Sequence, residues 1–79
     1  MNREKLLEAI LEERLPVNLY HEHQFQEYEV ILEENEGQFI VYATNERAGQ
    51  QGIVSIFDNE VDAFKDVLIK ARILKKRYY

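Results

Sequence analysis

The middle of the chain alternates. Tyr28, Val30 and Leu32 fall on one side of an extended segment, and Glu27, Glu29, Ile31 and Glu33 fall on the other. That is the period of a β-strand with one face turned to a core. Glu34-Asn35-Glu36-Gly37 then supplies turn chemistry, with Gly37 able to take positive φ. Gln38 to Thr44 follows as a second strand, rich in β-branched and aromatic residues. The pair predicts a hairpin with two possible registers, of which we favour the first. A four-residue loop places Phe39, Val41 and Ala43 beside Tyr28, Val30 and Leu32, whereas a three-residue loop ending in a Gly37 bulge places Ile40 and Tyr42 there. One residue of slip exchanges the faces completely.

Helical spacing flanks this hairpin. Leu6, Leu7, Ile10 and Leu11 recur as one face of a helix from Arg3 to about Arg14, with Asn2 as its cap and Glu4 in its first turn. Pro16 lacks a backbone N–H and pushes Leu15 out of helical angles, so the helix ends there. Residues 17–25 carry no clear period, although Leu19 and Tyr20 suit the start of a short strand. After a polar loop from Asn45 to Gln51, the apolar run Gly52 to Phe57 predicts a third strand. Asn59 caps a second helix reaching about Arg77, which buries Val61, Phe64, Val67, Leu68, Ala71 and Leu74. The expectation is one α+β domain over residues 1–79, in the order α-β-β-β-α. Both helices cover one face of a small antiparallel sheet and the other face stays open.

Composition narrows the class. With 46% hydrophobic and 32% charged residues, the chain can build a core and is not of the disordered type. It has no cysteine, hence no disulfide framework and no thiolate. The charged start and the absence of a long apolar run lead us to expect a soluble, cytoplasmic protein without a membrane segment. Net charge is −5 but unevenly spread. Residues 1–62 hold fourteen acids against four bases, while residues 63–79 hold one acid, Asp66, against six bases. From Leu15 to Glu46 there is no lysine or arginine.

A search for catalytic chemistry finds no complete set. His21 and His23 flank Glu22 and are the only histidines, too few for a zinc site without cysteine. The only serine, Ser55, sits within an apolar strand and has no evident base. Gly49 and Gly52 make no phosphate-binding fingerprint. We expect no enzyme activity, no cofactor and no metal.

Two surfaces remain. The acidic hairpin, with Glu27, Glu29, Ile31, Glu33, Ile40 and Tyr42 on its expected outer face, reads as a patch for a basic protein. Glu46 and Arg47 in the following loop either anchor that loop or touch the same partner. The basic end of the last helix, closed by Tyr78 and Tyr79, could engage nucleic acid. The acidic balance of the domain opposes that reading.

Several short motifs give the chain a family likeness. They are Leu15-Pro16 followed by Tyr20, Phe39-Ile40-Val41-Tyr42 with Glu46-Arg47-Ala48-Gly49 downstream, and Phe57-Asp58-Asn59-Glu60-Val61-Asp62-Ala63 opening the last helix. Together they resemble a family of small bacterial immunity proteins of polymorphic toxin systems, over nearly the whole chain in element order. The chain departs from that pattern at Phe39, where tryptophan is usual, at Ala43, where a second aromatic is usual, and at Ala48, which interrupts Glu-Arg-Gly. The resemblance implies that Phe39, Val41 and Ala43 face the core. It also implies direct binding and neutralisation of a cognate toxin, and the acidic surface suits a basic one such as a nuclease. The alternative is a regulatory or prophage accessory module that forms a homodimer through its open sheet face.

Overall fold

The computed structural model describes all 79 residues, Met1 to Tyr79. The elements run α1 (Arg3–Glu13), β1 (Val17–Leu19), β2 (Val30–Asn35), β3 (Gln38–Thr44), β4 (Gln50–Phe57) and α2 (Glu60–Tyr78). Four strands form one sheet in the order β1-β2-β3-β4. The sheet is mixed rather than antiparallel, because β1 pairs in parallel with β2. That strand was only half legible: it starts at Val17, before Leu19, and has just three residues in which to show a period.

Local chemistry sets the ends of both helices. Asn2 accepts from the Lys5 N–H at 2.8 Å and starts α1. Arg14, at φ 52, takes the left-handed conformation that ends it, and Leu15 N–H closes on Ile10 O at 3.0 Å before Pro16. Asn59 accepts from the Asp62 N–H to start α2, whose last turn holds Lys75, Lys76 and Arg77 against the negative end of the helix dipole.

The hairpin pairs Leu32 with Val41 and Val30 with Ala43. Val30, Leu32, Val41, Phe39 and Ala43 therefore share the core side, which is the facing that a four-residue loop requires. The turn itself is shorter. Asn35 pairs with Gln38, and only Glu36 (φ 52) and Gly37 (φ 83) turn the chain. Two successive positive φ angles are those of a type I′ turn, which matches the strand twist. A two-residue change of loop length preserves the facing, since the side-chain period is two. The first strand also starts later than expected: Glu27 and Tyr28 lie in a turn, and Tyr28 sits at φ 51.

Both helices lie on one side of the sheet. α2 crosses β2, β3 and β4, and α1 packs beside α2. The core between them contains Leu6, Leu15, Val17, Leu19, Val30, Leu32, Val41, Phe64, Val67 and Leu68. Phe64 is its largest side chain, and burying one of that size contributes about 1.5–3 kcal/mol. Ion pairs fasten the helical layer at its rim. Arg72 grips Glu13 with two hydrogen bonds, at 2.9 and 2.6 Å, while Lys75 donates to the Glu13 carbonyl. No helix of the chain is long and apolar enough to cross a membrane.

At the other end, Glu60 collects a hydrogen bond from the Tyr20 hydroxyl and an ion pair from Arg3 at 3.2 Å. The Arg3 guanidinium also lies 5.6 Å from the centre of the Tyr20 ring. Burial, then the hydrogen bond to Glu60, pushes the Tyr20 phenol up to about 12. Folding thus favours the neutral phenol, a contribution complete below pH ~10 and lost as pH climbs toward about 12. In urea unfolding, wild type should exceed Tyr20→Phe in stability at neutral pH and lose that advantage across this alkaline window. A difference that stays constant to high pH would remove the Tyr20 hydroxyl from the account.

Candidate functional site

The face opposite the helices is not fully open. Parallel strands cannot be joined by a tight turn, so residues 20–29 return from the end of β1 to the start of β2 as an irregular crossover. Tyr20 and His21 sit at φ 53 and 58 and reverse the chain. The crossover then lies over the outer side of β1 and β2. Ile31, expected on an open face, is fully buried, and Glu29 is only 3% exposed. Neither is available to a partner, and this corrects two of the expected contact residues.

Glu29 is the post to which the crossover is tied. Its Oε1 accepts from the Gln26 N–H at 2.8 Å and from Asn18 Nδ2 at 3.3 Å, and its Oε2 lies 2.7 Å from His23 Nε2. Asn18, fully buried on β1, also donates to the His23 carbonyl at 2.9 Å. The end of β3 completes the tie. Thr44 Oγ1 accepts from the Glu29 N–H at 2.9 Å and donates to the Gln26 carbonyl at 2.7 Å. Tyr28 is held from α2: its ring stacks on Tyr78 at 3.9 Å, and its carbonyl accepts from the Tyr79 hydroxyl at 2.9 Å.

Beyond the crossover, the outer face is uncovered. Glu33, Ile40 and Ile56 form one cross-strand row over β2, β3 and β4, with Tyr42 opposite Ile31 in the next. Tyr42 donates to Glu33 Oε1, and His21 Nε2 reaches the same oxygen at 3.2 Å. Burial, reinforced by the Glu33 carboxylate, raises the Tyr42 phenol well above its usual range, so its hydroxyl keeps donating to Glu33 into alkaline solution. Phe25 packs edge-on to Tyr42, ring centres 6.3 Å apart, and tilts against His21 at 4.9 Å.

The structure therefore brings Glu33, Ile40 and Tyr42 together and adds three residues that sequence reasoning missed. Phe25 is a lone aromatic in a polar stretch, Ile56 belongs to an apolar run with no alternation to show its face, and His21 has no partner nearby in sequence that points to Glu33. Glu27 is exposed at the far end of the crossover. Glu46 and Arg47 are exposed at the β3–β4 loop tip. Asn45 anchors that loop by accepting from the Arg47 and Gly49 N–H groups at 2.8 and 3.0 Å. This leaves the two charged side chains pointing to solvent.

The two histidines engage different carboxylates, because the left-handed turn at Tyr20 and His21 separates their rings. Ser55 meets Lys70 Nζ at 2.9 Å, but that amine also donates to Asp66 Oδ2 at 2.5 Å. An ammonium donating to both groups offers no lone pair to take the serine proton. The basic helix end is partly engaged: Lys70, Arg72 and Lys75 bond within the chain and Tyr78 and Tyr79 clasp Tyr28, while Lys76 and Arg77 are exposed and make no ion pair.

Removing the post should loosen the cover. Glu29→Ala removes the acceptor of the Gln26 N–H, the partner of His23 Nε2 and one of the two acceptors of the buried Asn18 amide, at a cost of about 1–3 kcal/mol. Urea denaturation measures the loss, and hydrogen exchange should show residues 20–29 opening ahead of β3. Unchanged protection there would mean that the carboxylate does not hold the crossover.

No family model matches the chain, and neither the curated proteins nor the solved structures yield a match.

Proposed function

We propose that this chain is a non-catalytic binding protein, an immunity protein of the cytoplasm that neutralises a basic toxin by covering its working surface. One observation carries the reading. Phe25 and Ile56 are exposed and Ile40 and Tyr42 half-buried in one apolar and aromatic patch beside Glu33, and the acids Glu22 and Glu36 lie on the neighbouring crossover and hairpin turn. Scattered surface hydrophobes are ordinary, but a contiguous patch bordered by one sign of charge marks an interface for the opposite sign. Aromatic side chains at its centre are the usual energetic anchors. The patch rests on sheet strands and on a crossover tied down by Glu29 and Thr44, so it needs little ordering on binding.

The mechanism has two parts. Like charge around the patch accelerates encounter with a cationic partner, and burial of Tyr42 and Phe25 then slows release. A nuclease fits as the partner because a surface that binds phosphates is itself cationic.

The test is co-expression with the toxin gene adjacent to the one encoding this chain, scored by growth and by co-purification. Rescue and a stable complex are expected. Tyr42→Ala should weaken the complex by about 2 kcal/mol or more, whereas Glu36→Lys should slow association and flatten its salt dependence. Growth arrest with no complex, from a well-folded protein, would sink the reading.

A further inference from the structure

The sheet has one long edge, β4, and nothing covers it. The opposite edge is the three-residue β1. α1 packs against one flank of α2, so the other flank, above β4, is bare as well. Three isoleucines stand out of this surface: Ile53 on β4 is 80% exposed, and Ile69 and Ile73 on α2 are 57% and 59% exposed. All eight residues of β4 are uncharged. Edge strands that must stay single are ordinarily guarded by a lysine, a proline or a covering segment. Here the one such device is a bulge.

That bulge shapes the surface. Val41 pairs with Ser55 and Ala43 with Gln51, so Gly52, Ile53 and Val54 stand opposite Tyr42 alone. Gly52, at φ 71, permits the detour. Instead of offering a straight template for another strand, β4 thereby carries Ile53 to a groove that it lines with Ala43, Ile73 and Leu74. The groove measures about 190 Å³. Clefts that hold small molecules run to roughly 300–1,000 Å³, so this one suits a side chain or two from a protein surface.

The charges on the same flank show whose surface that is. Asp62, Asp66, Ile69, Ile73 and Arg77 follow one another at helical spacing, acidic toward the start of α2 and basic toward its end. Asp66 is already satisfied by Lys70. Asp62 bonds only to Asn59, and Arg77 makes no ion pair. A foreign basic or acidic partner would meet both signs along this strip. An antiparallel copy of the same helix meets each sign with its opposite.

We propose that two copies of this chain associate side by side about a twofold axis through the β4–α2 flank. Ile53, Ile69 and Ile73 lie at the seam, and Asp62 of one copy faces Arg77 of the other. Residues 62 and 77 are roughly 22 Å apart along the helix, and the midpoint falls at Ile69 and Lys70, which places the isoleucines near the axis. The twofold axis runs across the sheet plane, so both outer faces point the same way. The dimer presents two acidic patches side by side and can hold two partners or one partner with paired sites. This goes beyond the proposed function and does not depend on a toxin.

Sedimentation equilibrium on the full chain tests it. A species of twice the 9.5 kDa chain mass is expected to dissociate on dilution. Ile53→Lys with Ile73→Lys changes only exposed positions and should raise the dissociation constant at least about tenfold, with circular dichroism unchanged. Arg77→Asp should weaken the dimer, and adding Asp62→Arg should restore it. A wild type that stays monomeric at every concentration overturns the proposal. So does a dimer that survives the isoleucine changes but is broken by Ile40→Lys, since that places the contact on the outer face. Failure of the charge exchange to restore association overturns the antiparallel pairing.

Discussion

Two strands that run parallel must be joined by a segment that travels the length of the sheet. That requirement, imposed where β1 lies beside β2, governs the surface of this molecule. Such connections are usually helices packed on a face. Here ten residues do the work without one, and three of them (Tyr20, His21 and Tyr28) hold left-handed backbone angles that disfavour ordinary side chains. A segment so poor in regular hydrogen bonds must satisfy its polar groups elsewhere. It does so through Glu29, Asn18 and Thr44, which form a buried polar knot between sheet and crossover.

The knot explains which part of the outer face remains for recognition. Over β1 and β2 the crossover shields Ile31. Over β3 and β4 nothing lies above Ile40 and Ile56, and Phe25 marks the boundary by leaning on Tyr42. A carboxylate that looked like a surface charge is thus an internal fastener, and the recognition chemistry is displaced toward the hairpin and the edge.

Much of the architecture was legible because it is periodic and local. The caps Asn2 and Asn59, the stop at Pro16 and the apolar stripe of α2 each act within one turn of helix. The facing of the hairpin was legible too, although its turn is two residues shorter than expected: Glu36 accepts a left-handed angle that its side chain does not advertise. What escaped was tertiary. Val17–Leu19 is too short to declare a direction, and its parallel pairing depends on strands thirteen residues away. Glu29 and Ile31 were assigned correctly to the outer side of β2, yet alternation says which face a residue occupies and nothing about what lies over it. The crossover that covers them has no apolar period of its own.

The last turn of α2 touches both layers at once. Lys75 holds the carbonyl of Glu13 at the end of α1, while Tyr78 and Tyr79 clasp Tyr28 on the crossover. In mechanical terms this turn is a shared hinge pin. A pull on the C-terminal residues, or a protease that trims them, would release the edge of the helical layer and the cover of the recognition face together. An affinity handle is therefore better placed beside Met1, where the chain enters α1 far from that junction.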